Sequence, residues 1–184
     1  FYPVDEYDLA GFSVGVVEKS RIFDPSAVKG GDALIGLPSS GVHSNGYTLV
    51  RSALAEEIAH GLDKEGPVPG ETLGQTLMKP TRLYVPQAIA AAQTGKVKAM
   101  AHITGSGLED NINRVVPDPC VCKLTYDWPR PAVFDLIASK GVEEEEMRRV
   151  FNLGIGYVFI VAPEDEAEVT KVLAGLGEKP RRVG

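Results

Sequence analysis

The sequence predicts a layered α/β domain with a mixed sheet flanked by helices. Three observations favour this class. Short apolar runs that suit strands alternate along the chain with segments whose apolar residues recur at helical spacing. The connections between these segments are mostly short. The 20 glycines and 13 prolines gather at the connections and form no low-complexity tract, which is typical of a compact domain whose loops take unusual backbone angles.

Alternation of apolar and polar residues, together with short continuous apolar runs, marks the predicted strands. In the first strand, Phe12, Val14 and Val16 share one side. The run at 157–162 is apolar throughout and indicates a central strand. The predicted strands span residues 8–19, 33–37, 97–103, 121–126 and 157–162, and a last strand begins at residue 181.

The predicted helices follow from apolar residues that recur every three or four positions. In the helix at 85–93, Pro86 stands in the first turn, where its missing N–H does no harm, and Gly95 follows as a C-cap. The predicted helices span residues 47–59, 73–78, 85–93, 108–116, 132–139, 143–150 and 165–176.

Composition and charge exclude several classes of protein. Hydrophobic residues make up 43% of the chain and charged residues 24%, which is globular composition and argues against disorder. The formal net charge of −6 disfavours nucleic acid and anionic membranes as partners, since no local basic patch offsets it. No apolar stretch approaches the roughly 20 residues that span a bilayer, and the first residues lack the basic start of a signal peptide. We therefore expect a cytoplasmic protein.

Neither the cysteines nor the acidic run predicts a metal site. Cys120 and Cys122 are two residues apart, so a disulfide between them would be strained, and no histidine lies near them in sequence. We expect free thiols in a strand. The carboxylates at 143–146 fan around a helix axis and do not converge, which favours a solvated helix face. We expect no metal ligands in this chain.

A polar loop before the helix at 47–59 is the first candidate binding site. Its hydroxyl, amide and glycine groups stand where a helix begins, an arrangement that suits a phosphate or carboxylate. His43 could add a charge or a proton-transfer group. A well-capped helix start, with Ser44 or Asn45 as N-cap, explains the same residues equally well. The loop reads Ser39, Ser40, Gly41, Val42, His43, Ser44, Asn45, Gly46.

Two further glycine loops follow. Thr104, Gly105, Ser106 and Gly107 lie between a strand and a helix, where the glycines let the backbone approach a ligand and the hydroxyls can bind it. This loop lacks the Lys-Ser/Thr ending of a P-loop, and a simple tight turn explains it as well. The loop at 151–156 carries two alternate glycines, for which a bulge is the favoured interpretation. We find no Ser/His/Asp or Cys/His arrangement.

The stretch from Ser39 to Arg51, SSGVHSNGYTLVR, is similar to the signature of the phosphoribosylformylglycinamidine cyclo-ligases, also called aminoimidazole ribonucleotide synthetases. The chain resembles the C-terminal domain of that family nearly end to end. The other matching segments, in the family's order, are residues 7–12, 14–18, 80–84 and 102–105, then Leu108, Asn111, Arg114 and Pro117, then Glu146, Met147, Phe151, Asn152, Gly154 and Gly156.

Two departures from the family stand out. The family's glycine loop normally has three consecutive glycines, whereas Ser106 takes the middle place here. The chain also lacks the family's N-terminal domain and starts at Phe1 without a methionine, so we expect it to come from a longer protein. In this interpretation residues 1–6 are an interdomain lead-in and residues 7–184 are the C-terminal α/β domain.

The resemblance implies ATP-dependent closure of formylglycinamidine ribonucleotide to aminoimidazole ribonucleotide in purine synthesis. It implies that ATP and Mg²⁺ bind mainly through the N-terminal domain, which would be the chain's partner in a homodimeric full-length enzyme. His43 is the candidate for an acid–base role. The residues expected to position substrate or phosphate are Ser39, Ser40, Gly41, Ser44, Asn45, Gly46, Arg51, Arg82, Thr104, Gly105, Ser106 and Gly107.

Two alternatives stay open from the sequence. A paralogue of the same superfamily, such as selenophosphate synthase, thiamine-monophosphate kinase or the amidotransferase acting one step earlier, shares the architecture. A non-catalytic module that binds a ribonucleotide or a protein would also use these loops.

Overall fold

The computed structural model describes residue 3 and residues 5–184. The predicted lead-in at residues 1–6 therefore includes three positions that lie outside the described residues. The interpretation of residues 7–184 as one C-terminal domain remains a prediction.

Four strands form one sheet in the order β2-β3-β1-β4. The strands are β1 (Ala33–Pro38), β2 (Val97–His102), β3 (Ile155–Val161) and β4 (Arg181–Arg182). The α/β class is confirmed. The predicted mixed sheet is wrong in one respect, because every pairing between these strands is antiparallel. Strand direction depends on how the long helical connections cross the sheet. The alternation of residues within a strand does not predict that direction.

Eight helices surround the sheet in the part of the chain that is described. The predictions of helices at 73–78, 85–93, 108–116, 132–139, 143–150 and 165–176 are confirmed to within a few residues. The helices are α1 (Tyr47–Ala53), α2 (Ala55–His60), α3 (Leu73–Leu77), α4 (Val85–Gln93), α5 (Gly107–Asn113), α6 (Ala132–Ala138), α7 (Glu144–Val150) and α8 (Glu166–Gly175).

The sheet is buried on both faces because its strands carry apolar side chains in both directions. Ile35 and Phe159 belong to the core shared with α4 and α8. Leu34 and Val158 belong to a larger core shared with α1, α5, α6 and α7. Helices thus cover both faces, and the irregular loops lie at the ends of the strands.

Three predicted elements are absent or altered. Residues 9–18 form no strand, and Phe12 and Val16 are 93% and 100% exposed, because none of the described strands supplies a hydrogen-bonding neighbour. The predicted strand at 121–126 joins no ladder with the described strands, and Tyr126 has a positive φ of 54°. The predicted helix at 47–59 divides into α1 and α2 at Leu54, whose φ of −104° and ψ of 25° depart from helical values.

Candidate functional site

The three glycine loops lie together at one end of the sheet. β1 and β2 both run antiparallel to β3, so the places where β1 and β2 end adjoin the place where β3 begins. Pro38 pairs with Ile155, and His102 pairs with Tyr157. The loops at 39–46, 103–107 and 151–154 therefore share this edge.

Asn152, in the third loop, holds the first loop in place. It is 3% exposed. Its Nδ2 donates hydrogen bonds to the carbonyl oxygens of Gly41 at 2.9 Å and Val42 at 3.2 Å. Its Oδ1 accepts from Ser39 Oγ at 2.8 Å and from the peptide N–H of Gly154 at 2.9 Å. One buried amide thus uses four hydrogen bonds to join two loops that are far apart in sequence.

Asn111, in the first turns of α5, holds the second loop in the same manner. It is 4% exposed. Its Nδ2 donates to the carbonyl oxygens of Gly105 at 2.9 Å and Gly107 at 2.6 Å. Its Oδ1 accepts from Thr104 Oγ1 at 3.0 Å and from Arg114 Nη1 at 3.2 Å. The amide is again fully satisfied.

The first two loops share a concave surface. A Cβ added at Gly105 would lie 3.6 Å from Asn45 Oδ1, so the loops are in near contact. A cavity of about 230 Å³ opens between them, lined by Gly46, Gly105, Ser106, Asp110, Arg149 and Val150. A neighbouring cavity of about 510 Å³ shares Ser106, Asp110 and Arg149 and is otherwise lined by Glu109, Glu144, Glu145 and Arg148.

The hydroxyl groups of the first loop are used to build it. Ser40 Oγ donates to the carbonyl oxygen of Pro80 at 2.7 Å, and Ser44 Oγ lies 2.9 Å from Thr81 Oγ1. The segment at 80–82 therefore packs along the loop. In the second loop, Ser106 takes a left-handed backbone conformation with φ of 75°, which glycine adopts more easily.

The two predicted arginines stand outside the shared cavities. Arg82 Nη1 donates to the carbonyl oxygen of Pro38 at 2.8 Å, and its Nη2 binds Glu178 Oε1 at 2.7 Å, so its guanidinium is engaged within the fold. Arg51 is exposed on α1 and makes no hydrogen bond or ion pair with the described residues. Neither arginine lines the two cavities. Their assignment to phosphate remains a prediction.

His43 is buried and neutral. It is 3% exposed, and its Nε2 accepts a hydrogen bond from the peptide N–H of Ser40 at 3.2 Å. Burial, with smaller contributions from His102 and Arg82, lowers the pKa of His43 to about 4. Its Nδ1 has no hydrogen-bond partner among the described residues. These features favour a role in holding the loop over proton transfer near neutral pH, and the acid–base role remains a prediction.

We expect His43 to make the fold sensitive to mild acid. The unfolded histidine titrates near 6.5 and the folded one at about 4, so the unfolded state takes up the proton first. The stabilisation is complete above the unfolded pKa and is lost as the pH falls from about 6.5 to about 4. Stability should drop by about 2 kcal/mol between about pH 7 and about pH 4.5.

Urea unfolding at a series of pH values measures this loss. His43→Gln should flatten the curve in that window, because glutamine carries no titrating group. An unaltered curve in the His43 variant would rule out His43 as the titrating group.

Sequence reasoning did not assign Asn111, Asn152, Asp110 or Arg149 to the site. Both asparagines stood in the matched motifs, and their burial was the missing information. Asp110 and Arg149 lie on helices whose orientation toward the loops follows from packing of α5 against α7. No sequence pattern marked the two charged residues as neighbours of the glycine turns.

The described residues contain no group of three histidine, cysteine or acidic side chains that could hold a metal ion. In the acidic run, Glu144 binds Arg130 and Arg148, and these hydrogen bonds lower the pKa of Glu144 to about 2. Glu146 binds Arg149, so two of the four carboxylates in the run are ion-paired. Cys120 and Cys122 are free, and burial raises the pKa of Cys122 to about 11.

Among the helices described, none combines the length and apolar character needed to cross a membrane.

Residues 29–184 match the family model described as AIR synthase related protein, C-terminal domain. The chain is 48% identical to a protein of Myxococcus xanthus, with 100% of the chain and 54% of that protein covered. It is 48% identical to one of Desulfitobacterium hafniense, at 97% and 52% coverage. It is 46% identical to one of Thermoanaerobacter sp., at 100% and 55% coverage. All three are named phosphoribosylformylglycinamidine cyclo-ligase.

The chain spans about half the length of the curated relatives that it matches. The family match covers most of the chain and includes all three glycine loops and both buried asparagines. The chain therefore belongs to the family of AIR synthase related proteins, of which it carries the C-terminal domain.

Proposed function

We propose that this chain is the C-terminal half of an ATP-dependent cyclo-ligase that converts formylglycinamidine ribonucleotide to aminoimidazole ribonucleotide in purine biosynthesis. The observation that carries the proposal is the meeting of the loops at 39–46 and 103–107 on one cavity wall. Backbone amides and polar side chains on such a wall suit an anionic ribonucleotide. The reaction follows from the resemblance to the cyclo-ligases, whose name the similar proteins carry.

The chain's contribution would be to position the substrate. In the reaction, the amide oxygen of the substrate attacks the terminal phosphorus of ATP, and ADP leaves. The neighbouring amine nitrogen then bonds to the activated carbon and loses a proton, and the carbon–oxygen bond breaks as phosphate departs. Phosphoryl transfer of this kind depends mainly on positioning and on neutralising charge. We assign positioning to the cavity wall formed by Gly46, Gly105 and Ser106.

ATP would bind mainly outside this chain, in the half that the relatives have in addition. The described residues do not fit a magnesium site, since no acidic cluster among them could hold the ion. Mg²⁺ would therefore be held mainly by the half that the relatives have in addition. The N-terminal half would be its partner within the enzyme, and the complete protein would form a homodimer in the cytoplasm.

A chimeric enzyme tests the proposed function. The C-terminal half of the Myxococcus xanthus cyclo-ligase is replaced by this chain, and formation of aminoimidazole ribonucleotide is measured with ATP present. We expect turnover within about tenfold of that of the parent enzyme, because this chain is 48% identical to the segment that it replaces. A folded chimera that binds ATP but closes no ring would contradict the proposal.

The chain by itself serves as the second arm of this experiment. We expect it to hydrolyse no ATP and to bind the ribonucleotide weakly, if at all, in a calorimetric titration. ATP turnover by the chain alone would show that the nucleotide site lies in this half. Tight ribonucleotide binding combined with an inactive chimera would favour a non-catalytic binding module.

A further inference from the structure

Two buried asparagines hold carbonyl oxygens of the first two loops, and the turn held by Asn111 borders the shared cavity. Asn111 Nδ2 binds the carbonyls of Gly105 and Gly107, and Asn152 Nδ2 binds those of Gly41 and Val42. Each amide orientation is determined by its network. A flip of either amide would set Oδ1 against two carbonyl oxygens and would leave the donors on its other side without an acceptor.

Some residues that line the cavity have peptide N–H groups without an acceptor in the described protein. Among the residues that the structure describes, the N–H groups of Gly46, Gly105 and Ser106 donate no hydrogen bond. All three residues line the cavity of about 230 Å³. The carbonyl oxygens of the second turn point to Asn111. The N–H groups of that turn are therefore the backbone groups that remain to bind a ligand. Consecutive N–H groups in a turn of this kind favour an anion.

Arg149 adds a positive charge to the same wall. Its Nε and Nη2 bind Glu146 at 2.7 Å and 2.6 Å, which leaves Nη1 without a partner in the described protein. Asp110 also lines the cavity and opposes an anion. The placement of the N–H groups, which depends on Asn111, therefore matters more here than the net charge of the wall.

We propose that Asn111 is a positioning residue for a phosphate group of the reactants. It holds carbonyl oxygens of the second turn away from the ligand and thereby directs the N–H groups of Gly105 and Ser106 toward it. The inference rests on the proposed function. The phosphate could belong to the ribonucleotide or to ATP, since both present the same oxygens to an N–H donor.

Asn111→Asp in the chimera tests this inference. The substitution keeps the size of the side chain but sets carboxylate oxygens against the carbonyls of Gly105 and Gly107, so the turn must rotate. We expect KM to rise tenfold or more for the reactant whose phosphate meets the turn and less than about threefold for the other, with kcat changed less than KM. The reactant whose KM rises identifies the source of the phosphate.

Asn113→Asp is the matched control. Asn113 lies two residues further along α5 and uses only its Oδ1, which accepts from the peptide N–H of Cys122 at 3.3 Å. The same charge is added to the same helix, and an acceptor oxygen is retained. We expect both KM values to stay within about twofold of the unsubstituted chimera.

Arg114→Ala provides a milder variant in case Asn111→Asp fails to fold. It removes one hydrogen bond to Asn111 Oδ1 and leaves both Nδ2 donors in place. The same KM should rise by about two- to threefold. If kcat fell in Asn111→Asp while both KM values stayed unchanged, the role of Asn111 would be merely structural and the inference would be overturned. The same result in Arg114→Ala would overturn it if Asn111→Asp does not fold. An inactive unsubstituted chimera would instead overturn the proposed function, and this inference with it.

Discussion

Gly107→Ala should destabilise the protein by about 3–5 kcal/mol, which corresponds to a drop of roughly 10 °C in Tm for a chain of this size. Gly107 has φ of 69°, in the left-handed region. A Cβ built there would lie 1.9 Å from the carbonyl oxygen of Arg148, a backbone atom in α7. Relief requires α5 and α7 to separate, because no flexible side chain can yield. Thermal unfolding measures the loss.

Gly95→Ala is the matched control for this prediction. Gly95 has φ of 70°, almost the same backbone conformation, but a Cβ there meets nothing within 4 Å. Gly95→Ala should therefore lose only about 1 kcal/mol of stability, which is the strain of alanine in a left-handed conformation. Equal losses in the two variants would show that the close approach of α5 to α7 contributes nothing to stability.

The contact at Gly107 also explains why a glycine loop stands before α5. The loop brings the backbone of α5 against α7, and this contact places Arg149 of α7 at the wall of the shared cavity. The loop was identified in the sequence as a place where backbone approaches a ligand closely. In the structure, Gly107 approaches another helix, while Gly105 and Ser106 line the cavity.

Local periodicity predicted the helices well. The helix at 85–93 begins and ends where α4 does, because its alanine-rich sequence, first-turn proline and closing glycine all act within a few residues. The break between α1 and α2 at Leu54 had no such signal. Leu54 is fully buried in the larger core, so tertiary packing determines where the helix turns.

The strand at 8–19 was predicted from alternation alone, and alternation states only that a segment could lie on a sheet. Pairing partners decide the outcome. β1 pairs with β3 and β4, whereas residues 9–18 pair with none of the described strands. The antiparallel direction of the sheet escaped prediction for the same reason, since it is a property of pairs of strands.

The candidate site was predictable to the level of loops. Glycine and hydroxyl content marked the segments at 39–46 and 104–107, which border one cavity. The individual contacts were not predictable, because they join residues remote in sequence. Asn152 binds the carbonyl of Gly41 across 111 positions, and Arg82 binds Glu178 across 96. The second contact occupies a guanidinium that we had expected to be available for phosphate.

Asn152→Ala should cost about 3–4 kcal/mol of stability, the second large effect that we expect. The change deletes four hydrogen bonds within a buried site. The carbonyl oxygens of Gly41 and Val42 would lose their donor, and the N–H of Gly154 would lose its acceptor. Each buried group left unpaired costs about 1–3 kcal/mol, and partial entry of water offsets part of the sum. Urea unfolding measures the change.

The position of the loss distinguishes this account from a general weakening of the core. Since Asn152 joins the third loop to the first, hydrogen exchange should accelerate at the amides of residues 39–46 before it does in β3. Asn113→Ala, which removes one 3.3 Å hydrogen bond near the surface, should cost under about 1 kcal/mol and leave exchange in the first loop unchanged. If hydrogen exchange in Asn152→Ala accelerated uniformly across the sheet, Asn152 would stabilise the core as a whole and not the first loop in particular.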